Sequence, residues 1–197
     1  GLWQWQPGIQ QSEEVPAKDW GYYKVPGYWP GKVNNRRTGN QRLFAHPVWK
    51  DNSFDDLVIA WFQREISIPK EWTKRRIIMT VDYLNSSAIV FIDGKRVGEM
   101  LFPAGELDLS PYCSPGSKHL LSMKVTALPL QDVVAVFNDS NAPRQGKGVV
   151  ARRGLCGDVY LRGEPAGARI SNVQVITSFR KRKITFNTEL QDLDPRS

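Results

Sequence analysis

The sequence predicts an all-β sandwich, and three observations carry that prediction. Short apolar segments recur along the chain, with clusters of Gly, Pro, Asn, Asp and Ser between them, which is typical of strands joined by tight turns. Residues 170–178 and 183–190 alternate apolar and polar side chains with a period of two, as half-buried strands do. We find no long amphipathic helix and no internal repeat, so a two-sheet architecture is expected.

The strongest strand signal lies in the middle of the chain. Two apolar segments, residues 77–81 and 88–92, are separated by a short polar linker. Asp93 and Gly94 then join the second segment to residues 96–99, and an Asp-Gly pair between strands is typical of a type I′ turn. This stretch therefore predicts a long strand, a tight loop and a hairpin, and we expect the core to be built around them.

Residues 1–57 are rich in aromatic, Pro and Gly residues and keep neither a helical nor a strand period for long. We predict an irregular segment that wraps the β core and is held in place by its aromatic side chains. Packing is the favoured role for these rings. Stacking on a sugar is the alternative for these rings, which are Trp3, Trp5, Trp20, Tyr22, Tyr23, Tyr28, Trp29, Phe44 and Trp49. Trp20, Trp29 and Trp49 are examples of rings that a carbohydrate-binding module would use.

Two further strands are predicted at residues 57–68 and 119–128. The first has mixed polarity near its middle, which predicts that one of its faces is only partly covered, and Pro69 ends it. Residues 131–153 carry Asn, Asp, Pro, Gly and basic residues and are predicted to form a long loop. Residues 158–162 are predicted to form a short closing strand.

The best candidate for a linker is the Gly- and Pro-containing segment at residues 163–167. We therefore predict a sandwich domain at residues 1–163 and the start of a second, incomplete β domain at residues 168–197. Two strands alone are marginally stable in water, so the last two strands are expected to belong to a larger sandwich.

The composition and charge argue against two classes of function, nucleic-acid binding and membrane spanning. The chain has 197 residues and a formal net charge of +7, and the basic residues are scattered. Their largest cluster, residues 180–183, falls at a predicted turn, so solvated turn charge is favoured over nucleic-acid binding. No apolar run approaches the roughly 20 residues of a membrane span. The sequence leaves the compartment open; the working expectation is a periplasmic or extracellular location with a signal peptide removed.

No set of residues predicts catalysis from the sequence. His46 and His119 are isolated, and Cys113 and Cys156 lack metal-ligand or disulfide-scaffold spacing. No nucleophile elbow or phosphate-binding loop is present. Glycosidic cleavage needs two carboxylates about 5–10 Å apart, and nothing in the sequence pairs any two. Asn85 begins an N-glycosylation sequon, as does a second Asn at position 138.

Five motifs, in order, resemble the noncatalytic N-terminal region of family-2 glycoside hydrolases, the β-galactosidase, β-glucuronidase and β-mannosidase group. They are VPGYW at 25–29, WFQREISIP at 61–69 followed by Trp72, the stretch 82–98, the segment 102–109, and GLCGDVYL at 154–161. Each motif is weakly specific, but together they keep the family's order over most of residues 20–162.

The resemblance implies a jelly-roll, galactose-binding-like sandwich, with the tail from Ala168 resembling the first strands of a truncated immunoglobulin-like β-sandwich. In the family, the glycosidic chemistry belongs to a later TIM barrel, no part of which lies in these 197 residues. The implied role is therefore noncatalytic: the domain packs on the barrel and shapes its substrate pocket. The implied partners are carbohydrate and the immunoglobulin-like and TIM-barrel domains, with no nucleic acid and no membrane.

The substrate-binding candidates are Asp158, Asn85 and Trp29. The resemblance implies the first two, and Trp29 is a candidate as an aromatic ring that could stack on a glycan. In the β-galactosidase branch, the Asp matched by Asp158 contacts a sugar hydroxyl and a monovalent cation at the pocket rim. A carboxylate suits both roles; the alternative is an Asp that caps a turn, and the neighbouring Arg of the family is Gly157 here. For Asn85, holding a turn is favoured over touching ligand. No cofactor is expected beyond the possible cation at Asp158.

Two other functions stay open from the sequence. One is a stand-alone carbohydrate-binding module that stacks a glycan on loop aromatics. The other is a purely structural or protein-interaction β-sandwich.

Overall fold

The structure is a computed structural model. It describes residues 1–9, 11–27, 43–52, 54, 56–128, 133–137, 144–148 and 153–193, with 133–137 and 144–148 described by their backbone. The strands in these ranges are β1 (Leu2–Pro7), β2 (Gly21–Lys24), β3 (Leu43–Phe44), β4 (Ile59–Ser67), β5 (Arg75–Val81), β6 (Leu84–Asn85), β7 (Ser87–Ile92), β8 (Lys95–Leu101), β9 (Gly105–Asp108), β10 (Lys118–Thr126), β11 (Val133–Phe137), β12 (Arg144–Gly148), β13 (Gly154–Leu155), β14 (Val159–Pro165), β15 (Arg169–Ser178) and β16 (Lys183–Gln191).

Two antiparallel sheets form the body of the molecule. The larger has seven strands in the order β3-β2-β1-β4-β10-β7-β8, and the smaller has three in the order β14-β5-β9. Alternate residues of each sheet point into a shared apolar core, where Ile77 and Met79 of β5 lie in one cluster with Phe62 and Met123 of the larger sheet. The predicted all-β sandwich is therefore confirmed. The described residues contain no helix long and apolar enough to cross a membrane.

The predicted central hairpin is present. β7 and β8 pair across Asp93 and Gly94, whose φ angles of 50° and 79° are the positive values that a type I′ turn requires at both central positions. The long strand before it, β5, lies in the smaller sheet while β7 lies in the larger. The chain therefore crosses between the sheets at residues 82–86.

The N-terminal segment is more regular than predicted. It contributes β1, β2 and β3 to the larger sheet, and Trp3, Trp5 and Tyr23 point into the core with exposed fractions of 3% or less. Trp5 packs edge-on against Phe54 with ring centroids 5.4 Å apart. Packing is thus the role of these rings, as predicted. The prediction of an irregular segment was wrong here because aromatic residues at alternate positions bury as strands do.

The described residues between β1 and β2, 8–9 and 11–20, include contacts on the outer face of the larger sheet. Gly8 lies against the side chains of Ile59 and Trp61, and Glu13 reaches β8, where it pairs with Arg96 at 3.0 Å. Trp61 is consequently 1% exposed. The prediction that one face of this strand is only partly covered was wrong for its first half, because the covering segment comes from a distant part of the chain.

Two predictions about the second half also need correction. Residues 131–153 are not one long loop, since β11 and β12 pair as an antiparallel hairpin within them. β14 continues to Pro165, so the predicted linker at 163–167 begins inside a strand. Beyond it, β15 and β16 form a two-stranded antiparallel sheet, as the period-two pattern predicted. Arg182 in their basic connection has a φ of 46°, a turn conformation.

Candidate functional site

The candidate site lies at the edge of the sandwich where β6 and β13 pair. Two hydrogen bonds to the Tyr83 carbonyl hold the approaching chain, one from the Gly157 amide at 2.7 Å and one from the Cys156 amide at 3.1 Å. The amide of Asp82 donates to the carbonyl of Asp158 at 3.0 Å. Residues 82–85 and 154–158 are therefore fixed to each other by their backbones.

Gly157 permits this close approach. A Cβ atom at position 157 would lie 2.1 Å from the Tyr83 backbone nitrogen, a separation that no side chain can occupy without moving the backbone. The family's Arg at this position would therefore require a different local backbone. The close approach to Tyr83 therefore explains why this chain has Gly157 where the resembled family has Arg.

Asp158 follows directly and presents its side chain to solvent. The residue is exposed while its backbone carbonyl accepts the bond from Asp82. Its carboxylate has no hydrogen-bond or ion-pair partner within the part of the chain that the structure describes. This arrangement offers an accepting group on a backbone that is already ordered, which lowers the entropic cost of binding a hydroxyl or cation.

Asn85 lies on the same paired segments as Asp158, but at their opposite end, and it is buried. It pairs with Gly154 in the register of β6 and β13 and is only 3% exposed. Its Oδ1 accepts a hydrogen bond from the Ser86 hydroxyl at 3.2 Å, and the peptide bond between these residues is cis. The burial of the Asn85 amide also makes it inaccessible as a glycosylation acceptor.

A tyrosine lies beside the two acidic residues of this edge. The Tyr160 hydroxyl donates a hydrogen bond to the Asp82 carboxylate, and this bond, followed by partial burial and the negative charge of Asp82, raises the pKa of Tyr160. Tyr160 is 39% exposed, and the guanidinium of Arg162 lies 6.0 Å from its ring centroid. The edge thus presents a phenol, a guanidinium and two carboxylates to solvent.

Apolar rings border the same edge. Tyr83 and Phe102 pack edge-to-face with centroids 6.0 Å apart, and Phe102 is 55% exposed. The Phe102 amide donates to the Ser86 carbonyl, and the Leu84 amide donates to Pro103, both at 2.8 Å. An exposed ring beside polar groups is the composition expected of a surface that meets a sugar or another domain.

Three tryptophans were the named candidates for stacking on a glycan. Trp29 lies outside the described residues. Trp20 and Trp49 are half-buried, and the indole of Trp49 donates to the Asp19 carbonyl at 3.1 Å. Two other aromatic residues of the predicted N-terminal segment, Tyr22 and Phe44, lie directly opposite each other in β2 and β3 and are 47% and 56% exposed.

A charged face on the smaller sheet was also missed. Arg76 of β5 pairs with Asp108 of β9 at 2.9 Å, while Arg162 of β14 contacts Glu106 at 2.5 Å and Glu164 at 3.0 Å. Burial acts to raise the pKa of Asp108, but hydrogen bonds from Ser110 and Arg76 outweigh it, so this pKa lies below its ordinary value. The signal in the sequence was charge at alternate positions of β9 and β14, which becomes informative only when the register places them beside Arg76 of β5.

The site has few of the groups that chemistry would need. Among the described residues, no three His, Cys, Asp or Glu side chains lie close enough together to hold a metal ion. Cys113 and Cys156 form no disulfide, and burial, with a smaller effect of the Asp93 charge, raises the pKa of the Cys113 thiol to about 11. A thiol with a raised pKa is a poor nucleophile.

No family model matches the sequence. A curated relative is the human β-glucuronidase, which is 24% identical over 115 residues; the match spans 45% of this chain and 17% of that protein.

Solved structures match over nearly the whole chain. A Dictyoglomus thermophilum β-D-glucuronidase has a TM-score of 0.65 at 16% identity, covering 97% of this chain and 32% of that one. A Faecalibacterium prausnitzii β-glucuronidase has a TM-score of 0.67 at 15% identity, covering 96% and 34%. The Bifidobacterium dentium enzyme, solved with coumarin-3-O-glucuronide, has a TM-score of 0.62 at 18% identity, covering 90% and 31%.

These similarities define the chain as a β-sandwich like one found in β-glucuronidases. The resemblance to that group of glycoside hydrolases, predicted from the sequence, is confirmed at the level of fold. The chain spans about a third of the length of the solved structures that it matches.

Proposed function

We propose that this chain is the noncatalytic N-terminal domain of a family-2 glycoside hydrolase, which packs on a catalytic barrel and shapes its substrate pocket. The observation that carries the proposal is the exposed carboxylate of Asp158 on a turn fixed by backbone hydrogen bonds. In this reading, Asp158 accepts a hydrogen bond from a sugar hydroxyl at the pocket rim. The β-glucuronidase relatives make a β-glucuronide the first substrate class to test.

The supporting argument is one of preorganisation. A carboxylate accepts hydrogen bonds from hydroxyls and is stronger in this role than a neutral acceptor. Because the Asp158 backbone is already tied to Asp82, binding needs to order only the side chain. The exposed rings of Phe102 and Tyr160 beside it give this edge the apolar surface that a docked domain would cover. Asn85, which is buried, holds the neighbouring turn in this proposal.

We propose further that residues 168–197 begin an immunoglobulin-like domain. Register places Val175 opposite Phe186 on one face of the hairpin, and these side chains are 54% and 64% exposed. The same face carries Ile170, Val173, Ile184 and Leu190, whereas the opposite face carries polar residues such as Gln174 and Asn187. An apolar face of this extent requires a second sheet to cover it, and the greater length of the matched structures is consistent with such a sheet.

A monovalent cation beside Asp158 belongs to the same proposal. Asp158 would supply one hard oxygen ligand, whereas such cations take several. Among the described residues no three His, Cys, Asp or Glu side chains lie together, so the other donors would be of another kind, such as backbone carbonyls, substrate hydroxyls or water. The proposed function therefore does not depend on a bound cation.

The second candidate function is a stand-alone carbohydrate-binding module. The exposed pair of Tyr22 and Phe44 favours it, because adjacent rings on a flat sheet can stack on a sugar. Calorimetric titration of the chain with oligosaccharides separates the two functions. Saturable binding that is lost in Tyr22→Ala and Phe44→Ala supports the module, and no binding supports the accessory domain.

Kinetics test the proposed function directly. The full-length gene product should hydrolyse an aryl β-D-glucuronide, and the 197-residue chain alone should not. Aryl β-galactosides and β-mannosides serve as the comparison substrates. Hydrolysis by the purified 197-residue chain would contradict the noncatalytic assignment.

A further inference from the structure

The hairpin of β15 and β16 has few ways to hold a fixed position on the sandwich. In β15 every residue between Arg169 and Ser178 is exposed, and in β16 every residue except Thr185 is exposed. The connection from β14 is three residues long and contains Gly167, which has open space around it. Burial of apolar surface therefore does not set the orientation of the hairpin in the described structure.

Charged contacts do connect the two parts. Arg169, the first residue of β15, forms an ion pair with Asp192 immediately after β16 and donates to the Gln191 side chain at 2.7 Å. Asp192 also lies 3.8 Å from the Nη1 atom of Arg76 in β5. One carboxylate of the hairpin is thus shared between an arginine of the hairpin and an arginine of the sandwich.

The Asp192 carboxylate lies between two arginine side chains that are each partly buried. The Nη1 atom of Arg76 is buried and has no hydrogen-bond partner among the described residues, so Asp192 supplies the opposite charge that this guanidinium lacks on that side. Arg169 is held from the other direction by Glu164 of β14 at 3.9 Å. The side chains of Arg76 and Arg169 are 25% and 17% exposed, whereas that of Asp192 is 49% exposed. Screening by solvent is therefore reduced on the arginine side of the contact.

We infer that Asp192 is an electrostatic latch that sets the orientation of the β15–β16 hairpin on the charged face of the smaller sheet. Its carboxylate bridges Arg76 and Arg169, and its neutralisation frees the hairpin to rotate about residues 166–168. The inference does not depend on the proposed glycosidase function, because it concerns a junction within this chain. The Asp192 contact thereby makes the angle between the sandwich and the β15–β16 hairpin sensitive to ionic strength.

Residual dipolar couplings of the ¹⁵N-labelled chain test this latch. At low salt, amide couplings of β15–β16 and of the seven-stranded sheet should fit one alignment tensor. In Asp192→Asn the hairpin should need its own tensor, with a magnitude reduced by about a third or more, because the ion pair that remains between Arg169 and Glu164 is long, at 3.9 Å. Asp192→Glu should keep the single tensor. Raising the salt to about 0.5 M, where the Debye length falls to about 4–5 Å, should loosen the wild type in the same direction.

The couplings of the larger sheet report in the same spectrum that each variant is folded. Glu65→Gln is the matched control, since it removes a carboxylate paired with Lys118 at 2.7 Å on the larger sheet, away from the junction. Separate tensors in the wild type at low salt would overturn the inference. So would an unchanged single tensor in Asp192→Asn at both salt concentrations, or equal loosening in Glu65→Gln.

Discussion

Gly157 and Tyr83 approach so closely that a single methyl group at Gly157 would lie 2.1 Å from the Tyr83 backbone nitrogen. The Gly157 amide uses this approach to donate a 2.7 Å hydrogen bond to the Tyr83 carbonyl. The contact joins the crossing between the two sheets to the turn that carries Asp158. It therefore connects the stability of the fold to the geometry of the candidate site.

Gly157→Ala should destabilise the chain by about 1–3 kcal/mol, because the added methyl must push apart two backbone segments. Gly167→Ala is the matched control: nothing lies within 4 Å of its Cβ position, so we expect a change within about 0.5 kcal/mol or a slight stabilisation. Urea denaturation followed by tryptophan fluorescence measures both. Equal stabilities of the two variants would refute the steric role of Gly157.

Trp5→Ala should cost about 3–5 kcal/mol of unfolding free energy, the usual range for a large aromatic residue removed from a core. Trp5 is fully buried, between Phe54 and Tyr23. Its buried indole nitrogen has no partner among the described residues, so Trp5→Phe should lose much less. Thermal unfolding compares the two variants with wild type. A loss in Trp5→Phe as large as that in Trp5→Ala would indicate an indole hydrogen bond instead.

Acid should weaken the turn at Asp93. The Leu120 amide donates to this carboxylate at 2.7 Å, and His119 contacts it at 2.7 Å. The hydrogen bond from Leu120, followed by that from His119, holds the pKa of Asp93 below its ordinary value. A lowered carboxyl pKa contributes stability that is present above the unfolded-state pKa of about 3.9 and is lost as the pH falls through the folded-state value.

The variant Asp93→Asn isolates this effect, because Asn also tolerates the positive φ of the turn. Wild type should be more stable than Asp93→Asn at pH 6, and the difference should shrink as the pH falls from 4 towards 2. Urea unfolding at a series of pH values measures it. A difference that is constant over this range would contradict the contribution of the Asp93 charge.

The two thiols should differ in reactivity. Cys113 is 5% exposed, and its pKa is raised to about 11 by burial and, to a lesser extent, by Asp93. Cys156 is only half-buried, with its thiol donating to the Arg153 carbonyl at 3.1 Å. At pH 8 iodoacetamide should modify Cys156 well before Cys113 in the native chain, and both at similar rates in urea. Peptide mass mapping reads the order, and faster native labelling of Cys113 would contradict the described burial.

Much of the fold could be predicted because its signals are local. The Asp93-Gly94 turn and the period-two pattern of β15 and β16 need only neighbouring residues. The strands β1 and β2 were missed because Pro and Gly separate short pairs of buried aromatics, so no long alternation forms. The hairpin of β11 and β12 was missed because the composition of the surrounding residues is that of a loop.

The candidate site was predictable only in part. A motif drew attention to Asp158, but the fixed backbone of Asp158 depends on the hydrogen bond between Gly157 and Tyr83, two residues that are far apart in the sequence. The ionic contacts of Asp192 with Arg76 likewise depend on the register of separate sheets. Long-range pairing of this kind leaves no periodic signal in the sequence, so it required the structure.

The central claim is that Asp158 presents a binding carboxylate to the pocket of a catalytic barrel. Its most direct test is the steady-state hydrolysis of an aryl β-D-glucuronide by the full-length gene product carrying Asp158→Asn, with Glu65→Gln as a control of equal charge change. We expect kcat/KM to fall about tenfold or more in Asp158→Asn, as for the loss of a charged hydrogen bond, and to stay unchanged in the control. An unchanged kcat/KM in a folded Asp158→Asn protein that hydrolyses the substrate would contradict the claim.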